Sequence, residues 1–336
     1  MIATVSELKS SALNRVALCR VAFGALTLVL STGIAQAQTY PDRPVRIVLA
    51  FAPGGLADIT FRVVGEKLAD LLGKPVLIEN TPGAGGIAAA AAVTRGKPDG
   101  HALLAVTNGT AISKALFKAL PYDPIKDFTP ISFAAYFDLI VVAKPDGPHR
   151  SLAELLKAAR SNPGKLNFGT INPGSTQNLS AELFKSMAGI NVTIVPFKAT
   201  PDAFAAVMSG EIDAVFEAYT AARALIDGGR LSVLANTATK RASYFPAAPS
   251  VQEAGVPGYE VVGWNALAAP TGTPAEVVAL LNRHMNSIVA MPDVRKRLLA
   301  LGADAYAGTP DELRTRFTND INKWSEVIKR AGIPLQ

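Results

Sequence analysis

Short β-branched or aliphatic runs alternate with amphipathic stretches along this chain, and that alternation restricts it to an α/β architecture with mostly parallel strands. Val45-Arg46-Ile47-Val48-Leu49-Ala50-Phe51 reads as a buried strand, because a strand covered on both faces needs no polar alternation. The period then changes. Phe61, Val64, Leu68 and Leu71 fall on one helical face, while Arg62, Glu66, Lys67 and Asp70 largely occupy the others. Further strands are expected at 76–79, 102–106, 139–143, 166–169, 192–196, 212–216, 231–236 and 261–268, with helices in most gaps. Ser151 with Glu154, Thr273 with Glu276 and Thr309 with Glu312 have capping-box spacing, the last two with proline at the first helical position.

The first 37 residues read as a signal peptide. Lys9, Arg15 and Arg20 precede an apolar run from Val21 to Leu30, and Ala35-Gln36-Ala37 offers the small side chains a signal peptidase accepts, so cleavage is expected after Ala37. The run is far shorter than the roughly 20 residues that span a bilayer. Cleavage removes the single cysteine, Cys19, and leaves 30 basic against 26 acidic residues. A cysteine-free exported chain needs no oxidative folding, and a periplasmic location is expected. With 49% hydrophobic and 18% charged residues the sequence excludes disorder, and 299 mature residues exceed what one core commonly holds, so two domains are expected. The small dispersed positive balance excludes nucleic acid as a partner.

The usual marks of catalysis are missing. There is no Gly-x-Ser-x-Gly elbow, no His-Glu-x-x-His pair and no Walker lysine loop, and His101, His149 and His284 are widely separated and read as surface or turn residues. No catalytic residue, metal site or cofactor is expected, and a hydrolytic reading through Ser175 lacks a visible base. Glycine-rich turns carry the information instead. Phe51-Ala52-Pro53-Gly54-Gly55-Leu56-Ala57-Asp58 joins a strand to a helix, where close backbone approach and free N–H groups suit an anion without any cationic side chain, and where Asp58 can equally be the helix cap. Glu79-Asn80-Thr81-Pro82-Gly83-Ala84-Gly85-Gly86 lacks the Gly-x-Gly-x-x-Gly spacing and reads as loop-to-helix packing. Asn167-Phe168-Gly169-Thr170-Ile171-Asn172-Pro173-Gly174-Ser175-Thr176-Gln177-Asn178 gathers hydroxyls, amides and a helix start at one strand end.

Taken in order, these segments resemble the periplasmic solute-binding proteins of tripartite tricarboxylate transporters, the Bug or TctC family. The likeness runs from Tyr40-Pro41-x-x-Pro44-Val45 and Pro53-Gly54-Gly55-x-x-Asp58 with Arg62, through Glu79-Asn80-x-x-Gly83-Ala84-Gly85-Gly86, Pro98-Asp99-Gly100, Tyr122-Asp123 with Asp127-Phe128, and Pro163-Gly164-Lys165-Leu166. It continues in Gly210-Glu211-Ile212-Asp213, Pro249-Ser250-x-x-Glu253-x-Gly255, Trp264, and Ala269-Pro270-x-Gly272-Thr273-Pro274. The resemblance implies a type II periplasmic-binding fold whose two α/β lobes close around a ligand cleft, with residues 38–138 and 261–336 in one lobe and 139–260 in the other. It implies a small carboxylate as ligand, with di- and tricarboxylates, amino acids and aromatic acids among the family's range, a monomeric protein, and a two-component membrane permease as partner. A sensor kinase ectodomain is the alternative partner.

Binding carries over to the loop Gly54, Gly55, Leu56, Ala57 and Asp58, to Asn108, and to Ser175 and Thr176 beside Thr170. Three departures, at Asn178, Phe197 and Ala199, bear on specificity. Asn178 stands where many relatives have histidine, and an amide gains no charge near neutral pH. Phe197-Lys198-Ala199 replaces a common Tyr-Lys-Gly, and Glu217 and Tyr219 follow a strand end that an entering ligand can meet. Phe197 and Tyr219 can flank a ring or simply pack in the core, and Lys198 can pair with a second carboxylate or lie solvated on the rim.

Overall fold

The computed structural model describes residues 40–336, so the expected leader and its cleavage point after Ala37 lie outside the described residues. By its contacts the chain divides into Met1–Asp42, of which only 40–42 are described, and Arg43–Gln336, which holds every element below. In order these are β1 (Val45–Leu49), α1 (Leu56–Leu72), β2 (Val76–Asn80), α2 (Ile87–Thr94), β3 (Ala102–Thr107), α3 (Asn108–Leu116) and β4 (Phe128–Ala143). There follow α4 (Leu152–Ser161), β5 (Asn167–Ile171), α5 (Thr176–Ala188), β6 (Thr193–Phe197), α6 (Thr200–Ser209), β7 (Ala214–Ala218), α7 (Tyr219–Asp227) and β8 (Ser232–Asn236). The chain ends with β9 (Val262–Pro270), α8 (Ala275–Ala290), α9 (Pro292–Leu299), β10 (Asp304–Ala305) and α10 (Pro310–Ala331).

The strands line up as β2-β1-β3-β9-β4-β7-β5-β6, with β8 and β10 pairing with β4 off that path. β1 runs parallel to β2 and β3, and β5 runs parallel to β6 and β7. Between these parallel sets lies β4, 16 residues long, which changes partners partway. Phe128–Asp138 pairs with β9, and Leu139–Ala143 pairs with β7 on one edge and β8 on the other. The change falls between Asp138 and Leu139.

Sequence periodicity located the last five residues of β4 but not the first eleven. Pro130 interrupts the pattern, and the register with β9 shifts between Pro130 and Ser132 and again between Phe133 and Ala135, so side chains stop alternating regularly. The expected capping boxes also divide. Thr309 accepts from Glu312 N while Glu312 accepts from Thr309 N, closing the box at α10 with Pro310 at its first position. At α4, Ser151 accepts from Glu154 N, but the Glu154 carboxylate reaches the N–H of Arg150 instead. At α8 no box forms: Thr273 donates its hydroxyl to Pro270 O, and Pro274 is itself the cap, one residue before the helix.

Each parallel set has its own apolar core, and α10 belongs to both. Its Leu313 and Phe317 pack with Val48, Leu104, Phe133 and Trp264, whereas Trp324, Val327 and Ile328 pack with Phe168, Phe184 and Phe216. The Trp264 indole N–H donates to Asp320 on α10 at 2.6 Å, and Arg316 reaches both Asp320 and the Val262 carbonyl, which fixes the helix along the start of β9. Truncating a large buried side chain such as Phe317 costs about 3–5 kcal/mol.

Asp138 stands at the partner change, 6% exposed, and accepts the Tyr244 hydroxyl proton. Burial pushes its carboxyl up to about 6. An unfolded aspartate titrates near ~3.9, so the folded chain holds this proton more tightly, and stability falls as pH rises from about 4 to about 6. Asp138→Asn is expected to raise unfolding stability by about 3 kcal/mol at pH 7 and to change little below about pH 4. Urea denaturation of both proteins at the two pH values measures this.

Candidate functional site

In a strand-turn-helix unit the helix begins where the strand ends, so its unpaired N–H groups collect at the carboxyl edge of the sheet. Two such edges meet here. A cavity of about 230 Å³ is lined by Gly55, Leu56 and Ala57 at the start of α1, by Thr107, Asn108 and Gly109 at the start of α3, by Thr176 and Gln177 at the start of α5, and by Ala218 before α7. Phe51, Phe137, Leu139 and Asn265 complete the wall. No charged side chain lines it. The positive side of the cavity's electrostatics comes from four helix N-termini, each equivalent to about half a positive charge.

The caps differ in a way that matters for binding. At α3 the Thr107 hydroxyl accepts from Gly109 N at 3.0 Å, and at α5 the Ser175 hydroxyl accepts from Asn178 N at 3.1 Å. Gly55 before α1 and Ala218 before α7 provide no side-chain cap. The first turn of α1 therefore offers backbone donors to a ligand.

The loop that presents α1 is held by a small network. Gly54, at φ +88°, donates its N–H to Asp58 at 2.9 Å; Arg62 and Asn80 also donate to the Asp58 carboxylate, and Asn80 donates to Phe51 O. The Arg62 guanidinium, with help from the Gly54 N–H and Asn80, holds the buried Asp58 carboxyl down at about 2. None of the donor residues, Gly54, Arg62 and Asn80, lines the cavity. Asp58 and Gly54 shape the loop, while Gly55, Leu56 and Ala57 meet the cavity.

Of the other expected residues, Asn108 and Thr176 come together across the cleft, with Asn108 Nδ2 donating to Thr176 Oγ1 at 2.7 Å. Ser175 lines an adjoining cavity of about 360 Å³, which also takes in Gly83–Gly86 and Gly174. Gly174 permits the approach of the two halves: at φ +79°, an added Cβ would lie 2.6 Å from Leu116 on α3. Asn178 and Thr170 are buried beneath this loop, Asn178 accepting from Gly174 N and donating to Thr170. Tyr219 packs 4.5 Å from Tyr244 in an apolar cluster that Phe197 also touches, so these two rings lie in side-chain packing rather than on the cavity wall. Lys198 is exposed and lines neither cavity. Glu217 is 2% exposed and sits behind the wall, accepting from Gln177, Thr200 and Ala218.

Several wall residues were missed in sequence. Phe137 lay hidden in the irregular half of β4, and Gln177 was passed over beside Thr176. Asn265 had a usable signal, as the lone amide in the apolar run from Trp264 to Ala269. His101, read as a surface or turn residue, lies in a bend and is buried, with Nδ1 3.0 Å from Asp99. A third cavity, of about 340 Å³, lies between α5 and α10 among Lys185, Lys323 and Arg330, away from the helix starts.

The Asp58 network makes a measurable prediction. Its depressed carboxyl contributes stability that is present above about pH 4 and lost as pH falls toward about 2. Asp58→Asn is expected to cost about 2 kcal/mol at pH 7, with the difference from wild type shrinking across that acid window in urea titrations.

The family model described as "Tripartite tricarboxylate transporter family receptor" matches residues 60–333. Protein BugT of Bordetella pertussis is 32% identical over 313 residues, covering 92% of this chain and 96% of that protein. Among solved structures, an R. palustris protein with adipate matches at TM-score 0.75 and 32% identity, over 88% of this chain and 99% of that one. MatC from Rhodopseudomonas palustris with bound malate matches at TM-score 0.71 and 33% identity, over 86% of this chain and 100% of its own. The α/β fold, two lobes around a cleft, is that of the periplasmic binding proteins. The chain belongs to the tripartite tricarboxylate transporter receptor family, the TctC or Bug family of periplasmic solute-binding proteins.

Proposed function

We propose that this protein captures a small carboxylate in the cavity between its lobes and delivers it, as a monomer, to the two-component membrane permease of a tripartite transporter. The observation that carries the reading is the convergence of four helix N-termini, from both lobes, on one cavity lined by no charged side chain. The adipate and malate found in relatives of about one-third identity support the ligand class. The family's description as a transporter receptor supports the permease, and the basic-apolar-small pattern of residues 1–37 supports export to the periplasm.

Closure follows from the same geometry. The lobes are 38–138 with 261–336, and 139–260; the change of partners at Asp138 and Leu139 and the start of β9 at Val262 support those boundaries. β4 and β9 are then the crossing strands about which the lobes turn. The Asn108 to Thr176 hydrogen bond belongs to the closed arrangement, and ligand bound between the lobes selects that arrangement from the open one.

The test is calorimetry on protein stripped of ligand by unfolding and refolding, titrated with a panel of aliphatic and aromatic carboxylates, with small-angle scattering to follow closure. Binding accompanied by a smaller radius of gyration is expected; silence across the panel rejects the reading. Thr176→Val removes the cross-cleft acceptor, and one neutral hydrogen bond is worth about 1 kcal/mol net, so roughly fivefold weaker binding is expected.

A further inference from the structure

The two sides of the cavity differ in what already occupies their positive ends. From this difference, and resting on the carboxylate reading above, we infer that the protein selects monocarboxylates with an uncharged far end over dicarboxylates. On the α1 side the helix start is uncapped, and the nearby Asp58 charge is matched by Arg62 and turned into the loop. A ligand carboxylate has free backbone donors there.

On the opposite side, where α7 likewise has no side-chain cap, a protein carboxyl group stands next to the helix start. Glu217 accepts Gln177 Nε2 at 2.6 Å, Ala218 N at 2.8 Å and the Thr200 hydroxyl at 2.8 Å. None of these donors is a cation, and among the described residues no ion pair involves Glu217. Lys198, the candidate counter-charge from the sequence, is exposed and does not line the cavity. A formal negative charge thus stands at the start of α7, directly behind Gln177 and Ala218. It draws on the donor that Gln177 would turn to a ligand, while Thr176, which accepts from Asn108, keeps its own hydroxyl proton to donate.

A second ligand carboxylate on this side meets a like charge in a setting of low dielectric, where repulsion is little screened. An apolar end meets Phe137, Leu139 and Ala218, which suit it. A volume of about 230 Å³, below the ~300 Å³ at which pockets for drug-sized ligands begin, suits a short chain or a single ring. Glu217 is thus an excluding and positioning residue that touches Gln177 rather than the ligand.

Matched pairs test this: hexanoate against adipate, and benzoate against terephthalate, with 6-aminohexanoate added, each titrated calorimetrically into ligand-free wild type and Glu217→Gln. The wild type is expected to bind each monocarboxylate at least tenfold more tightly than its dicarboxylate. Glu217→Gln is expected to narrow that ratio to within threefold. A dicarboxylate within threefold of its partner in the wild type overturns the inference while leaving the carboxylate reading intact. A 6-aminohexanoate preference assigns Glu217 to an ammonium and also overturns it, as does a ratio unmoved in a folded Glu217→Gln. If the variant fails to fold, the wild-type ratios decide alone. Binding of none of the five compounds overturns the carboxylate reading, and this inference with it.

Discussion

One strand serves two sets of partners, and the site depends on that. β4 passes from β9 to β7 and β8 between Asp138 and Leu139, so the parallel sets on either side share a single covalent backbone. Each set sends its helices off from its strand ends, and the crossing brings those ends to face one another. Two connections have no loop at all: Thr107 ends β3 and caps α3, and Ala218 ends β7 and caps α7. The donors at those helix starts are therefore positioned by the sheets themselves. Such preorganisation reduces the ordering that a ligand must impose.

The proposed site attracts an anion without presenting a cation. Partial charges at helix ends are fixed in direction and need no counter-ion, whereas a buried arginine or lysine left alone after ligand release would be costly. Charged groups do occur nearby, but each is turned elsewhere. Asp58 and Arg62 hold the α1 loop, and Glu217 holds Gln177. On the closure proposed above, affinity depends on bringing Asn108 to Thr176 and Gly174 to Leu116. α10, packed into both apolar cores, ties the lobes together on another face.

Much of this was legible in the residues, for identifiable reasons. Uniformly apolar strands such as Val45–Leu49 and amphipathic helices such as α1 announce themselves by period, and glycines at 54 and 174 mark turns that φ values of +88° and +79° require. The irregular half of β4 did not, because Pro130 and two register shifts break the alternation that identifies a strand, and with it went Phe137. Thr170, Asn178, Asp58 and Glu217 are polar residues at the right strand ends, yet their hydrogen bonds go to the protein. Sequence places a polar side chain near a site; only the competing partners in the fold decide which way it faces. The box at Thr273 and Glu276 shows the same limit, since Thr273 found a nearer acceptor in Pro270.

The central claim is that backbone donors at helix starts recognise the negative charge of a carboxylate. The most direct measurement compares, by calorimetry on ligand-free protein, the tightest carboxylate found with its own primary amide, which keeps the shape and removes the charge. The account predicts that the amide binds at least tenfold more weakly, and that the difference persists in high salt once the ligand's carboxylate is in direct contact with the backbone donors. An amide that binds as tightly as the acid would contradict it.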